Sequence, residues 1–330
     1  MLWAIIQSLP DAEDLVLVLD DRLGLPDGIP QNVHIKKVLP TILHRTRAER
    51  WLRANVKKRD TVLCLGNLPP LFKLEGRVVV FLQNRYLIDD VDLNAFSARS
   101  RLRINIERLW LSLRMASVSE FIVQTQTMKK LLAKKAAGIV PIQILPFAEE
   151  SASYMRSGFK SKEKASEFDF VYVASGETHK NHRILLEAWS LLAAEGLFPS
   201  LCLTLNPVKF GSLAREIENV CERDKLAVTN VGELSHEGVM GLYESVGALI
   251  YPSKLESFGL PLMEARQMGL AILASELDYV RDLVDPEQSF DPDSATSIAR
   301  AVKRFMKIDA ADTLIVLSAS EFVGKILRVD

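Results

Sequence analysis

The sequence predicts an α/β protein of two doubly wound, parallel-sheet domains facing across a cleft. Three observations lead there. Short apolar runs that read as buried strands alternate with segments of helical periodicity in both halves of the chain, the pattern of parallel sheets with crossover helices. A polar, charged stretch at 148–167 interrupts that alternation as a linker would. At 248–268 an apolar run, a loop punctuated by Ser257, Gly259 and Pro261, and a helical segment follow one another. Pro261 suits the first turn of that helix.

The chain has 330 residues, 48% of them apolar, enough for two buried cores. A net charge of −1 carries no nucleic-acid bias. The charge is uneven, however: residues 1–150 hold 22 Lys/Arg against 16 Asp/Glu (+6), leaving 19 against 26 (−7) for the rest. Such asymmetry points the first half toward an anionic surface. Cys64, Cys202 and Cys221 lie in apolar runs without metal or disulfide spacing and read as reduced core residues. No apolar run reaches the ~18 residues of a membrane span, and the start lacks a secretory signal. The expected location is cytoplasmic, with a peripheral place on the inner face of the cytoplasmic membrane open to the basic half.

In order along the chain, residues 1–9 have helical apolar spacing and Leu15-Val-Leu-Val-Leu19 reads as a buried strand. A parallel α/β domain normally opens with a strand, a Gly-rich turn and then its first helix. This chain reads as starting at that helix, so the N-terminal domain is expected to lack its first strand and glycine loop. Residues 33–60 alternate basic and apolar groups. Residues 96–115 set Leu102, Ile106, Leu109, Trp110 and Leu113 against Arg101, Arg103, Arg108 and Arg114 on a helix. A basic amphipathic helix bearing Trp can lie on anionic lipid; a core-packing helix with a solvated basic face is the plainer alternative. Residues 61–65, 77–82 and 121–123 read as buried strands. The polar residues after the first two, Gly66-Asn67 and Gln83-Asn84, stand where parallel sheets bind ligands. Gln124-Thr125-Gln126-Thr127 caps a helix at Met128. Asp90-Val-Asp92 reads as a solvated loop, and no metal is expected.

After the linker the alternation resumes with a strand at 168–173, the loop Ala174-Ser-Gly-Glu-Thr-His-Lys180 and a helix from Asn181. Strands follow at 201–205, 227–231, 248–251 and 271–274. The expected division is 1–147, linker 148–167 and 168–314, with a final helix at about 315–330 free to pack back on the first domain.

The loop after residue 251 carries the chemistry. A strand that ends in a Gly-containing loop and opens a helix aims backbone N–H groups and a positive dipole end at one spot, which suits a phosphate. Glu256 and Glu264 frame it, eight residues apart, and a carboxylate accepts strong hydrogen bonds from sugar hydroxyls. Pro252-Ser253-x-x-Glu256-Ser257-Phe258-Gly259-x-Pro261-x-x-Glu264-Ala265 resembles the Glu-x7-Glu signature of the retaining glycosyltransferases of family 4, the group 1 type, whose two-domain architecture is GT-B. An ordinary strand–loop–helix with two solvated acids is the bland alternative.

The resemblance implies a hexosyltransferase that takes a nucleotide diphosphate sugar, with no metal or other cofactor, and a glycan or lipid-linked acceptor. Lys180 falls on the position that neutralises the donor diphosphate, in a loop containing Ser175 and Gly176. His179, or Arg183 one turn on, is left as the second basic contact, where many relatives have Arg. Glu256 would lie at the transferred sugar and Glu264 at the ribose. Ser257, Phe258, Gly259 and Leu260 would face the phosphates, and Gly232-Glu233 would lie over the base. On the acceptor side stand Gly66, Asn67, Gln83 and Asn84, with Gln83 and Asn84 where relatives often carry His. Bacterial lipopolysaccharide, O-antigen or capsule synthesis is the setting implied. A sugar-nucleotide epimerase of the same fold and a non-catalytic or truncated GT-B binding protein are the other readings. The absence of a Gly-x-Gly-x-x-Gly after any strand argues against a dehydrogenase.

Overall fold

The computed structural model describes residues 15–25, 32–91, 96–146 and 167–308, together with positions 2, 6, 29 and 93. The expected first helix (apart from positions 2 and 6), the linker up to residue 166, Asp92 and the C-terminal helix at 315–330 lie outside the described residues.

The N-terminal half distributes its strands between two parallel sheets. β1 (Leu15–Asp20) and β2 (Val33–Val38) pair with each other, Leu17 opposite Ile35. β3 (Thr61–Cys64), β4 (Arg77–Phe81), β5 (Glu120–Val123) and β6 (Ile142–Ile144) form the second sheet in the order β3-β4-β5-β6. No described strand joins β1 or β2 to β3. The basic–apolar stretch at 33–60, which periodicity left unresolved, is thus strand β2 followed by helix α1 (Ile42–Asn55), capped by the Thr41 hydroxyl. α2 (Ala98–Arg114) and α3 (Gln126–Ala136) flank the second sheet. Val78, Val80, Leu82, Leu111, Phe121, Val123, Met128 and Leu132 fill its core.

The C-terminal half is one six-stranded parallel sheet of order β12-β11-β10-β7-β8-β9. Its strands are β7 (Phe168–Tyr172), β8 (Leu201–Leu203), β9 (Val228–Asn230), β10 (Val246–Tyr251), β11 (Ala271–Ser275) and β12 (Gln288–Phe290). The helices between and after them are α4 (His182–Ala194), α5 (Gly211–Asp224), α6 (His236–Ser245), α7 (Leu260–Gln267), α8 (Asp278–Arg281) and α9 (Ala295–Phe305). The central strand β10 is buried on both faces, which is why it reads as an unbroken apolar run, and β7 is buried from Phe170 to Tyr172 with Asp169 exposed near its start. Trp189 anchors α4 on the sheet: its ring stands edge-on to Phe170 at 5.7 Å and its indole N–H donates to the Pro199 carbonyl at 2.9 Å. Strand order reverses between β7 and β10, so the loops leaving these two strands diverge and open a crevice at their C-terminal ends.

The two halves meet beside that crevice. The Thr127 N–H donates to the Asp282 carboxylate at 2.7 Å, and the Tyr86 hydroxyl lies 3.1 Å from His179 Nδ1.

Candidate functional site

The loop after β7 is held close to its neighbours. A Cβ on Gly176 would lie 2.5 Å from the Phe210 ring, so only glycine fits there. A single turn of 3-10 helix, Thr178–Lys180, follows, and then Asn181 in the left-handed conformation at φ 64°. Its amide donates to the carbonyls of Pro252 (3.1 Å) and Pro292 (2.7 Å), tying three strand-end loops together. The Lys254 N–H donates to the His179 carbonyl at 2.8 Å, and the Tyr172 hydroxyl donates to the Lys180 carbonyl at 2.5 Å.

These ties bring Lys180 to Glu256. Three donors converge on Glu256 Oε1: the Lys180 ammonium (2.5 Å), the Ser253 hydroxyl (2.7 Å) and the Tyr251 hydroxyl (3.0 Å). Oε2 receives no hydrogen bond from the described residues. Burial holds the Tyr251, Tyr172 and Tyr279 phenols well above their ordinary pKa, with the Glu256 charge the next cause. They therefore remain hydrogen-bond donors at neutral pH.

Beyond Glu256 the backbone turns at Gly259, φ +76°, the N-cap of α7. A Cβ there would press on Leu262 Cδ1 at 3.1 Å. Among the described residues nothing accepts from the N–H groups of Phe258, Gly259 and Leu260. Glu264 follows on the buried face of α7, with Oε1 3.4 Å from His236 Nδ1 and Oε2 3.5 Å from the Tyr243 hydroxyl. Burial raises the Glu264 pKa against the opposing influence of His236. Gly232, at φ +79°, and Glu233 lie just before α6, and the Glu233 carboxylate accepts from the Asn206 amide at 2.6 Å.

The structure does not gather every residue of the expected set. Arg183 points to the protein surface, where Glu216 on α5 takes its guanidinium in a two-pronged pair (2.7 and 2.8 Å), away from the Lys180–Glu256 cluster. His179 is in place, but burial and then the Lys180 charge lower its pKa, so it is a neutral imidazole rather than a cation. Ser175 donates to the neighbouring Glu177 carboxylate. Gly66 is exposed beside Asn67, whose φ is +67°. Asn67 Oδ1 accepts from the N–H groups of Gln83 (2.6 Å) and Asn84 (2.8 Å), Asn84 Oδ1 accepts from the Tyr86 N–H, and the Gln83 amide donates to Gln124. The expected acceptor residues are thus a hydrogen-bonded frame, and what it presents to the other half is Tyr86. Burial and the charges of Glu256 and Glu177 push the Tyr86 phenol up to about 12. Sequence reasoning missed Tyr86, His236 and the Asn181 fastening. A tyrosine just past a polar strand end was the available signal for the first, and the other two had none.

His182 begins α4 but turns inward. It is 4% exposed, sits 4.9 Å from the Tyr172 ring, and neither ring nitrogen has a partner among the described residues. Burial, then Lys180, lowers its pKa from 6.5 to about 4. The unfolded chain takes up this proton at higher pH than the folded one, so stability is complete above about pH 6.5 and is lost as pH falls toward 4, by up to about 3 kcal/mol. In His182→Phe, urea unfolding should show a shallower loss over that interval; equal slopes would count against a neutral buried imidazole.

Residues 156–315 match the family described as Glycosyl transferases group 1. The serotype-specific mannosyltransferase WbdA of Escherichia coli is 30% identical over 139 residues, 41% of this chain but 17% of that protein. Sucrose-phosphate synthase from Thermosynechococcus elongatus superposes with a TM-score of 0.66 at 15% identity, covering 92% of this chain and 82% of that one. Anabaena HepE, solved with UDP and glucose, gives 0.60 at 14% identity over 84% and 77%. At such identities the structures speak for the shared architecture alone. Over residues 156–315 the chain is thus similar to the glycosyl transferases group 1 family, and its architecture is that of the GT-B fold.

Proposed function

We propose that this protein transfers a hexose from a nucleotide diphosphate sugar to a glycan or lipid-linked acceptor, with retention at the anomeric carbon and without a metal. Bacterial surface polysaccharide, such as O-antigen, is its product class. Mannose is the sugar in the name of the E. coli relative and the first donor sugar to try. One observation carries the reading: Glu256 has one oxygen locked to a lysine and, among the described residues, the other free, in the same loop as three backbone N–H groups with no acceptor among the described residues.

The hard charge in such a reaction develops on the departing diphosphate. Lys180 has three donor protons, of which one serves Glu256 and two remain for phosphate oxygens. The N–H groups of Phe258, Gly259 and Leu260 supply fixed dipoles to the same charge, and preorganised donors of this kind lower the barrier without reorganising. Glu256 Oε2 is free to accept a hydroxyl of the transferred sugar, and its carboxylate lies near the positive charge forming on the ring. Glu264 would accept the ribose hydroxyls. His179, neutral and oriented through Tyr86, would donate to the donor as a hydrogen-bonding group. The excess of basic residues in the first half suits an acceptor presented on an anionic lipid face.

Thermal unfolding with UDP, GDP and ADP and their sugar conjugates tests the donor site. A ligand at ~100 times its dissociation constant stabilises the fold by about 2.7 kcal/mol, a rise of several degrees. Glu264→Ala should lose that rise. If no nucleotide shifts the wild type, the reading fails. Product analysis separates transfer from epimerisation: a transferase consumes the donor and releases nucleotide, whereas an epimerase returns an isomeric donor.

A further inference from the structure

The helix α2 carries an apolar face that no described residue covers. Ile104 and Leu111 bury its inner side against the sheet, as the spacing of an amphipathic helix requires. On the opposite side Leu102 (62% exposed), Ile106 (55%), Leu109 (60%) and Leu113 (71%) stand in solvent. Their spacing of i, i+4, i+7 and i+11 places all four on one stripe, about 16 Å long at 1.5 Å per residue. Single exposed aliphatic residues need no explanation, but four in line on one helix do.

The surroundings are cationic. Exposed Arg99 and Arg103 lie on one flank of the stripe and Arg101 on the other, with Arg103 3.4 Å from Glu107. Arg45 of α1 stacks over the Trp110 ring at 4.5 Å, which sets the first turn of α1 beside α2. That turn adds Ile42 (88% exposed) and Leu43 (59%). Arg47, Arg50 and Arg53 are exposed further along α1. No helix among the described residues is long and apolar enough to cross a membrane.

From this we infer that the outer face of α2, with the first turn of α1, is a docking surface for an anionic lipid bilayer. The four aliphatic side chains enter the acyl boundary and the arginines engage the phosphate layer. An apolar ridge edged by arginines is the helix pattern that lies in a membrane interface, and neither element suffices alone: apolar area gives depth and basic charge selects anionic headgroups. A protein partner would require acidic side chains facing those arginines, and an ordinary self-association would set arginine against arginine. The inference deepens the surface association proposed above but does not depend on the donor chemistry.

The test uses the full chain and sedimentation with vesicles of equal parts phosphatidylglycerol and phosphatidylcholine, beside vesicles of phosphatidylcholine alone. Wild type should pellet with the anionic vesicles and bind the neutral ones at least ~10-fold more weakly, and added salt should release it. One variant replaces the ridge (Leu102→Gln, Ile106→Gln, Leu109→Gln, Leu113→Gln), and a second neutralises its flanks (Arg99→Gln, Arg101→Gln, Arg103→Gln). Each should lose ~10-fold or more in binding while keeping the wild-type unfolding temperature and any nucleotide-induced rise. The inference is overturned if wild type stays in solution with anionic vesicles, or if both variants pellet as well as wild type. It is equally overturned if the ridge variant only turns a dimer into a monomer by light scattering. An absent nucleotide shift would touch the donor reading alone.

Discussion

Lys180→Met is expected to lower kcat/KM by roughly 10²–10³-fold, the usual cost of removing one preorganised charge-stabilising donor. The methionine keeps the length and apolar stem of the side chain and deletes the ammonium. Two consequences follow from the geometry. In the proposed reaction the departing diphosphate would lose the Lys180 ammonium, and Glu256 loses one of the three donors on Oε1 while Ser253 and Tyr251 remain. An interaction used only as charge develops lowers kcat and kcat/KM together, whereas one used equally in the ground state raises KM alone. Steady-state assays that follow nucleotide release would separate these cases. Lys180→Arg keeps the charge but carries a planar fork where the site holds a compact ammonium, and it should recover only part of the activity. A Lys180→Met enzyme within threefold of wild type would remove Lys180 from the chemistry.

Asn181→Leu should destabilise the C-terminal half by roughly 3–4 kcal/mol. Two costs add. A branched side chain in the left-handed region costs about 1–2 kcal/mol, which asparagine largely escapes. The carbonyls of Pro252 and Pro292 lose their amide donor inside the protein, at about 1–3 kcal/mol for groups left unsatisfied. For a unit of this size the melting temperature should fall by roughly 10 °C. Asn181→Gly restores the backbone conformation and forfeits only the bonds, so it should recover a third to a half of the loss. Urea unfolding of the three proteins checks both figures, and an Asn181→Leu protein within 1 kcal/mol of wild type would refute the fastening role. The same substitution should also weaken nucleotide binding, because Asn181 holds the loop after β7 against the loop after β10.

Much of this was legible in the chain. Ala248-Leu-Ile-Tyr and the Phe170-Val-Tyr172 end of β7 announced buried parallel strands, because a central strand covered on both faces has no polar side to show. Gly176 and Gly259 marked turns, and the structure supplies the reasons: a phenyl ring at one and a left-handed N-cap at the other. The eight-residue spacing of Glu256 and Glu264 survives as two acids on either side of one helix start. Local sequence carries these features because they arise within a strand, a turn and a helix that are contiguous.

Tertiary structure alone decided the rest. Arg183 and His179 both lie within three residues of Lys180, yet α5 presents Glu216 to the first and draws it outward, while Tyr86 comes from the other half to meet the second. By sequence Asn67 reads as a ligand-facing amide, but its side-chain oxygen accepts from the backbone N–H groups of Gln83 and Asn84. The aliphatic stripe on α2 was visible as periodicity, but periodicity cannot say which of two apolar faces the sheet will cover. In this protein the sequence determined the elements, the reversal loops and the acid–lysine inventory, since each follows from residues a few positions apart. Which side chains share a pocket, which are consumed by the frame and which remain for a ligand depended on approaches between residues distant in the chain, such as Lys180 to Glu256 and Tyr86 to His179, and no local pattern encodes those.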